Sequence, residues 1–340
     1  MSLPTNQHHV PQFLLREFAV ERKKDEFQTI AYRKERSFPV STRGIGAERF
    51  FYTKPRENSL ETDLAKSETE YAQIHKHLLQ LDGIIDQEKD SAAKLIAHCC
   101  VRTNLMRKQT LIATGAIYDA LQAVVTNPKV LHELVSKKVI GDDEFVQKTV
   151  EKFGANGQDL KWAAELIKDD PTVIKPWLTE NLDPSVLQAL RLLGQTKEDE
   201  ARRFHLKGLA SSHSPEPRVE VHLKRTIEIV ELGSSSVVLP DGIVFTLSRK
   251  ASASISIERE DNKHPLCLPL SPNRILLSYE TKPKLNASKL LDYAAASAID
   301  FFVFQEKLDY LEKRRKLIGT KLVNFERAVD EIILDELGLL

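Results

Sequence analysis

The spacing of apolar residues changes twice along the chain, and this change limits the folds that the chain can adopt. The pattern suits strands and turns up to about residue 53, helices from residue 58 to about 207, and strands again over 219–279, before a last helical stretch. Because the strands and helices form separate blocks rather than alternating, the order predicts an α+β fold. The predicted architecture is an N-terminal β-hairpin, a large helical block, an antiparallel sheet and C-terminal helices.

The first block predicts a hairpin that is followed by a turn. The β-prone residues 18–20 and 27–33 flank the charged stretch ERKKDE, and Gly44 and Gly46 mark a turn before an aromatic cluster. Residues 13–18, which precede the hairpin, are largely apolar. We therefore expect this N-terminal segment to be docked in the core rather than frayed.

Long helices are predicted next. A capping-box pattern and a helical spacing of apolar residues predict a helix over about 59–81. A second helical stretch covers 91–126, with a break expected near Gly115. Residues 128–207 are predicted to be helical throughout, and this block offers a surface for a protein partner.

The next block predicts short strands that are joined by tight turns. Residues 219–232 alternate for part of their length, two short strands flank a Pro-Asp-Gly turn at 240–242, and ASISIER alternates strictly. The stretch LCLPLSPNRILLSYE adds two strands around a Ser-Pro-Asn turn. Because short turns and no helical crossovers join them, the strands of 219–279 are predicted to be antiparallel. From Asn286 two helices are predicted, meeting near Gly319.

Charge and cysteine content narrow the function classes. Lys+Arg and Asp+Glu both number 49, which argues against coating nucleic acid by bulk charge but leaves room for a local basic groove. The three cysteines, two of them adjacent, form no disulfide framework and suit a reducing compartment. The N-terminus lacks the pattern of a signal peptide, and no apolar run is long enough to span a membrane. We expect a cytoplasmic protein with no membrane partner.

Several motifs occur in a characteristic order. The opening HHVPQFLLREF at 8–18 fits the pattern His-(His/Tyr)-x-Pro-x-x-x-Leu-x-x-Phe. The later motifs are AERFFYT (47–53), ETDLAKSE (61–68), VRTNLMR (101–107), VVLPDGIV (237–244) and LPLSPNRILL (268–277). Together they resemble a widespread bacterial family, domain of unknown function 4238, to which no activity is assigned. In that family the turn near Asp241 more usually carries a serine, where this chain has Leu239-Pro240.

The resemblance covers nearly the whole chain. It implies a single family domain over 1–340, in which we distinguish a motif-bearing part (1–127), a helical insertion (128–210) and an antiparallel sheet with C-terminal helices (211–340). It implies no reaction, so the chemistry has to be argued from the residues themselves.

The adjacent histidines of the opening motif are the first candidates for a functional site. Pro11 favours extended backbone at Val10, so His8 and Val10 point one way and His9 the other. One imidazole can then face a pocket while its neighbour packs or faces solvent. Imidazole suits general acid–base chemistry or metal ligation. The alternative is a terminal histidine that is buried against the sheet and hydrogen-bonded to the backbone.

Carboxylates of the first predicted helix form a second group of candidates. Glu61, Glu68 and His75 follow one another at seven-residue intervals and therefore share one helix face, with Ala65 and Ala72 between them. Carboxylates beside a histidine can bind a divalent metal, which is the one cofactor that the pattern suggests. The alternative is a solvated helix face.

Arg102 lies in the apolar stretch LIAHCCVRTNLM and needs a partner, because an unpaired buried guanidinium is costly. It can pair with Glu61 or Glu68 in a structural ion pair, or it can hold a phosphate bidentately. We expect His8, Glu61, Glu68 and Arg102 to line one pocket.

Two functional hypotheses follow. The chain has no Walker A, GxGxxG, GxSxG or CxxC motif, which removes the main support for several common enzyme classes. The first hypothesis is a nuclease-like hydrolase of phosphodiester or nucleotide substrates, with a role in defence against foreign genetic elements. Its catalytic candidates are His8, His9, Glu61, Glu68 and Arg102, and its partners are nucleic acids or nucleotides. The second is a non-catalytic sensor or adaptor whose N-terminal motif is structural.

Overall fold

The computed structural model describes residues 6–49, 51, 59–126, 196–211, 216–248 and 264–336 of the chain. Contacts divide the chain into two compact units, the first formed by Met1–Thr110 and Arg202–Glu326, the second by Leu111–Ala201 and Arg327–Leu340. The predicted strand ASISIER and nearly all of the helical block predicted over 128–207 lie outside the described residues.

The fold is α+β, as the sequence predicts. The described strands are β1 (Asn6–His8), β2 (Val20–Lys23), β3 (Glu26–Tyr32), β4 (Ser37–Ser41), β5 (Ala47–Arg49), β6 (Gly83–Ile84), β7 (Thr226–Glu231), β8 (Leu239–Pro240), β9 (Phe245–Thr246), β10 (Leu266–Ser271), β11 (Arg274–Tyr279) and β12 (Phe302–Phe304). The described α-helices are α1 (Gln12–Glu17), α2 (Ser59–Leu78), α3 (Lys89–Val101), α4 (Asn104–Thr126), α5 (Lys197–Ser211), α6 (Glu216–Leu223), α7 (Ala287–Ser297), α8 (Asp309–Glu312) and α9 (Thr320–Glu336). Short 3-10 helices cover Thr42–Gly44 and Lys313–Leu317.

Three sheets organise the first unit, and every strand pairing among the described residues is antiparallel. One sheet has the order β6-β7-β11-β10-β9, the second has the order β2-β3-β12-β8 with β4 also paired to β3, and β1 pairs with β5. The predicted antiparallel arrangement of the strands in 219–279 is therefore confirmed for those that the structure describes. The β10–β11 turn lies where the Ser-Pro-Asn signal predicts it.

The N-terminal prediction is also confirmed. β2 and β3 form the predicted hairpin, and Asp25 occupies its turn with a positive φ of 62°. Leu14, Leu15 and Phe18 are completely buried, so the first helix is docked in the core. Phe18 itself ends α1 and does not belong to the strand that was predicted to include it.

The second long helical stretch is broken at a different place from the one predicted. The interruption falls at Arg102 and Thr103, between α3 and α4, while Gly115 lies inside α4. Thr103 explains the new start, because its hydroxyl accepts a hydrogen bond from the backbone N–H of Met106 at 3.2 Å. The cap at Thr103 therefore sets the position of the break, and Gly115 inside α4 only lowers the helix propensity.

The alternating stretch that begins at residue 219 was predicted to start as a strand, and this prediction is wrong. Residues 216–223 form α6, and the strand β7 begins only at Thr226. Arg218, Val219 and His222 are buried, and their three- to four-residue spacing fits one face of a helix as well as the alternation fits a strand.

The Pro-Asp-Gly turn and the C-terminal segment also differ from expectation. β8 and β9, which flank the turn, belong to different sheets and do not form a hairpin. The segment from Asn286, predicted to be wholly helical, contains β12 between α7 and α8. β12 is paired on both sides and buried throughout, so its sequence lacks the alternation that reveals a half-buried strand.

The second unit is described through the later part of α4, the start of α5 and the end of α9. Within it, Lys197 Nζ and Asp119 Oδ1 are 4.0 Å apart. None of the helices in the described part of the chain is long and apolar enough to cross a membrane.

Candidate functional site

The opening motif forms a short strand that folds back over the glycine turn. β1 pairs with β5 so that His8 lies opposite Ala47, and the backbone N–H groups of His9 and Val10 both donate to the Gly46 carbonyl, at 2.8 and 3.1 Å. Gly46 has a φ of +67°, and a Cβ there would lie 2.9 Å from the Val10 Cβ. The turn therefore needs glycine for both its conformation and its close approach to the histidine segment.

Arg102 connects this segment to two helices. Its side chain is 2% exposed, and its Nη2 lies 2.7 Å from Glu68 Oε1 on α2 and donates to the His8 backbone carbonyl at 2.6 Å. Its Nη1 lies 3.2 Å from His98 Nε2, which must accept this hydrogen bond because a guanidinium only donates. The His98 ring in turn stacks on Tyr71 at 4.2 Å between ring centres. Of the alternatives that the sequence left open for Arg102, an ion pair with Glu61 or Glu68 or a phosphate, the structure shows the ion pair with Glu68.

Two of the predicted site residues occupy less open positions than the sequence suggested. Burial lowers the pKa of His8, against the opposing effects of the Glu68 charge and a hydrogen bond to the Arg43 backbone. His75 is buried, and its Nε2 lies 2.9 Å from the Leu270 carbonyl, so it packs between elements instead of extending an open carboxylate stripe. Glu61 lies in α2, but its side chain is outside the described part of the structure.

His9 differs from its neighbours. The residue is 5% exposed, and neither Nδ1 nor Nε2 has a hydrogen-bond partner among the described residues. Burial, together with the positive charge of Arg102, lowers the pKa of His9 to about 3, so the ring is neutral at physiological pH. Its ring lies 5.1 Å from that of Phe51. A buried imidazole with no partner costs roughly 1–3 kcal/mol of stability for each unmet polar group.

His9 forms part of the wall of a cavity of about 700 Å³ in the first unit. The polar and charged residues around this cavity are Arg33, Lys34, Glu35, Glu48, Asn104, Asp300 and Thr320, and the apolar ones include Ile45, Ile299, Phe301, Ile318, Leu322 and Val323. A space of this volume is within the range of small-molecule sites. Among the proposed catalytic residues whose side chains the structure describes, His9 lines the cavity, and His8, Glu68 and Arg102 form the adjoining cluster.

The charges around the cavity are partly neutralised. Arg107 Nη1 lies 3.1 Å from Glu48, and Lys108 Nζ lies 3.0 Å from Asp300. The exposed Arg33 and Lys34 have no ion-pair partner among the residues that the structure describes. These two cations, beside the single carboxylate of Glu35, give that side of the cavity a local positive charge.

A buried carboxylate lies behind the part of the cavity wall that residues 299–301 form. Asp241 is fully buried at the end of β8, and it accepts backbone hydrogen bonds from Ile299 at 2.8 Å and Asp300 at 2.9 Å. Burial and the nearby charge of Asp300 raise the pKa of Asp241 to about 7, against the effect of these hydrogen bonds. Asp300, whose side chain also accepts from Asn104 at 3.1 Å, was not among the sequence candidates.

Residues missed by the sequence argument come mainly from the glycine turn and the loop before β12. Asn104 was visible only as part of VRTNLMR, and Asp300 carried no motif of its own. Because β12 was not recognised either, nothing indicated that residue 300 would reach the histidine motif. The Asp241 turn was visible as part of VVLPDGIV, but its partner loop lies about sixty residues away in the sequence. Among the described residues, no group of three or more His, Cys, Asp or Glu side chains is arranged to hold a metal ion.

The comparisons with known proteins agree with the resemblance in the motifs. The model of the family described as Protein of unknown function (DUF4238) matches residues 6–293. The chain therefore belongs to this family. No curated protein and no solved structure matches it.

Proposed function

We propose that this protein hydrolyses a phosphodiester or nucleotide substrate bound in the cavity beside His9. The observation that carries the proposal is the His9 ring, which is buried, neutral and without a hydrogen-bond partner among the described residues, at the wall of a cavity large enough for a nucleotide. A ligand that supplies the missing hydrogen bond would relieve the energetic penalty of this imidazole.

The charge around the cavity supports an anionic ligand. Arg33 and Lys34 are exposed at its edge, and the carboxylates of Glu48 and Asp300 are each matched by a cation from α4. A phosphate that enters this space would find two positive side chains, Arg33 and Lys34, and one carboxylate, Glu35, that have no ion-pair partner in the described part of the chain. The cations would bind its charged oxygens and hold the phosphorus centre in place.

His9 would act as the general base once a small movement of the cavity wall opens a ring nitrogen to the ligand, because both ring nitrogens are buried. Its pKa of about 3 leaves the lone pair free but makes the ring a weak base, and the negative charge of a bound phosphate would raise that pKa. The imidazole would take a proton from water as the water oxygen bonds to phosphorus, and the bond to the leaving oxygen would break. The proton would then pass from the imidazolium to the leaving oxygen, which restores the neutral ring.

Arg102 would act as a positioning residue and not as the phosphate clamp. Its guanidinium already contacts Glu68, the His8 carbonyl and His98, and it holds the backbone immediately before His9. Catalytic roles for His8, Glu61 and Glu68 stay predictions, as does a divalent metal that would assist the phosphate.

The engagement of Arg102 by protein groups also favours the second candidate function, a non-catalytic sensor or adaptor. In that case the histidine motif is structural, and the cavity binds a ligand without turning it over. The two candidates share the cavity and differ in whether product forms.

The test is a panel of bis(p-nitrophenyl) phosphate, nucleotides, and short RNA and DNA strands, offered with and without Mg²⁺ or Mn²⁺. We expect hydrolysis of at least one member, and a fall of about 100-fold or more in kcat for His9→Leu. His77→Ala, which removes an exposed histidine from α2, is the matched control and should leave the rate unchanged.

Tight binding of a panel member without product would instead identify a sensor. If the wild-type protein neither binds nor hydrolyses any member, or if His9→Leu retains full activity, the proposal of a hydrolase at this cavity is wrong.

A further inference from the structure

We infer that Asp241 is a positioning residue for this cavity, because its carboxylate holds the loop of residues 299–301 that forms one wall. Three consecutive backbone amides point at this one side chain: Ile299 donates to Oδ1 at 2.8 Å, and Asp300 and Phe301 donate to Oδ2 at 2.9 and 3.4 Å. All three residues line the cavity. The inference rests on the proposed function for its meaning in catalysis.

The loop is also tied in the opposite direction. The Asp241 backbone N–H donates to the Phe301 carbonyl at 3.0 Å, and the next pair, Pro240 and Phe302, is in register between β8 and β12. Asp241 therefore follows the last paired residue of β8, and its side chain extends the hydrogen bonding between β8 and β12 into the loop. Among the described residues no strand pairs with the loop at residues 299 and 300, so the carboxylate supplies the acceptor that a neighbouring strand would provide.

The same turn fixes the first residues of α4. Asp300 Oδ2 accepts from Asn104 at 3.1 Å, and Asn104 lines the cavity as well. Gly242, next to Asp241, packs so closely that a Cβ would lie 2.9 Å from both Leu105 Cδ2 and the Ser297 carbonyl. Asp241 thus positions Asp300 and Asn104 together on the wall of the cavity that receives the ligand.

Ionisation of the Asp241 carboxylate has two opposing effects on the loop. An ionised side chain accepts from all three amides, whereas protonation turns one oxygen into a donor. Burial and the charge of Asp300 nevertheless raise the pKa of Asp241 to about 7, while Lys108 on α4 and the amides of residues 299 and 300 act in the other direction. Because the raised pKa means that the closed site favours the neutral acid, opening of the loop to water becomes easier as the pH rises through about 7 and harder as the pH falls below it.

The first test compares Asp241→Asn with Asp292→Asn, a control that removes an ion-paired carboxylate on α7 away from the cavity. With a substrate from the panel that the wild-type enzyme turns over, we expect the Asn variant to raise KM about tenfold with a smaller change in kcat. It should also remove from the rate profile the change near pH 7 that comes from the Asp241 carboxyl. The control should keep both the wild-type KM and the wild-type pH profile.

A second measurement decides the inference if the variant does not fold or if no substrate is found. Amide hydrogen exchange of Ile299, Asp300 and Phe301 in the wild-type protein should show protection factors that rise about tenfold from pH 8 to pH 6, because opening must expose a carboxyl that the closed site keeps neutral, while Phe302–Phe304 in β12 stay protected at both pH values. Protection of the three amides that does not change with pH would overturn the inference, as would an unaltered KM and pH profile in Asp241→Asn. Absence of any hydrolysis would instead count against the proposed function alone.

Discussion

Arg102 and His9 are both buried beside the same strand, but they meet their polar requirements in opposite ways. The guanidinium of Arg102 contacts a carboxylate, a carbonyl and an imidazole, all supplied by the protein. The His9 ring has no hydrogen-bond partner among the described residues, although it lies at the cavity wall. A buried polar group whose hydrogen bonds are all made within the protein has a structural role. A buried polar group that lacks a hydrogen bond and lies beside a cavity can form that bond with a ligand.

His9 can be compared more closely with His205, because both rings lie against Phe51. The ring centres are 5.1 Å from Phe51 for His9 and 6.0 Å for His205. Burial lowers the pKa of both, to about 3 and about 4 respectively. His205 Nε2, however, lies 2.9 Å from the Val101 carbonyl, and His9 has no such contact. The same substitution at the two positions therefore isolates the effect of the hydrogen bond.

The largest effect is expected from Arg102→Ala. Removal of the guanidinium leaves the Glu68 carboxylate, the His8 carbonyl and the His98 nitrogen without this partner, and breaking a buried pair in this way costs roughly 3–5 kcal/mol. Glu68 is 32% exposed, so water can solvate part of its charge and the loss should lie near the lower end. Urea unfolding monitored by circular dichroism measures it.

Arg107→Ala is the control for this variant, since Arg107 pairs with the half-exposed Glu48 and should cost less than about 1 kcal/mol. If Arg102→Ala unfolded at the wild-type urea midpoint and lost only ligand binding, the arginine would be a phosphate ligand and the comparison with His9 would fail.

An intermediate effect is expected from His205→Leu. The Val101 carbonyl at the end of α3 would lose its imidazole partner while staying buried, which costs about 1–3 kcal/mol. Thermal and urea unfolding at pH 8 measure the change, where both histidines are neutral in the folded and the unfolded protein. A variant as stable as the wild type would show that the carbonyl finds water instead, and the distinction between the two rings would then disappear.

How far the sequence predicts this arrangement depends on whether the signal is local. The hairpin, the docked helix and the pairing of Arg102 with a carboxylate follow from residues that are close in sequence or from the cost of a buried charge. β12 and the helix α6 could not be predicted because a fully buried strand has no alternation, and a short helix can share the alternation of a strand.

The candidate site was predictable only in part for the same reason. The orientation of His9 away from His8 follows from strand geometry and Pro11. The cavity wall around Asp300 depends on the pairing of β8 with β12, a contact between segments far apart in the chain, and no single-sequence pattern encodes that pairing. Glu61 was proposed from helix spacing alone, and its catalytic role stays a prediction.

The smallest effect on stability is expected from His9→Leu at pH 8. Leucine fills a similar volume without polar atoms. Removal of the unmet ring nitrogens favours the variant, and loss of the ring contact with Phe51 opposes it, so the free energy of unfolding should rise, by less than about 1 kcal/mol. A loss of 2 kcal/mol or more would mean that the ring has a polar partner in solution, such as water, and would remove the reason for expecting a ligand there.

The stability of His9→Leu should differ more from that of the wild type as the pH is lowered. The pKa of His9 is about 3 in the folded protein against 6.5 ordinarily, so below pH 6.5 the unfolded chain binds a proton that the folded one does not. The wild type should therefore lose stability as the pH falls from 6.5 towards 3, by up to about 1.4 kcal/mol per pH unit from this histidine. His9→Leu should lack that part of the slope, so its free energy of unfolding should exceed that of the wild type by a margin that grows as the pH falls from 6.5 to 5. Equal slopes in the two proteins would show that His9 titrates normally and is open to water, not held neutral at the cavity wall.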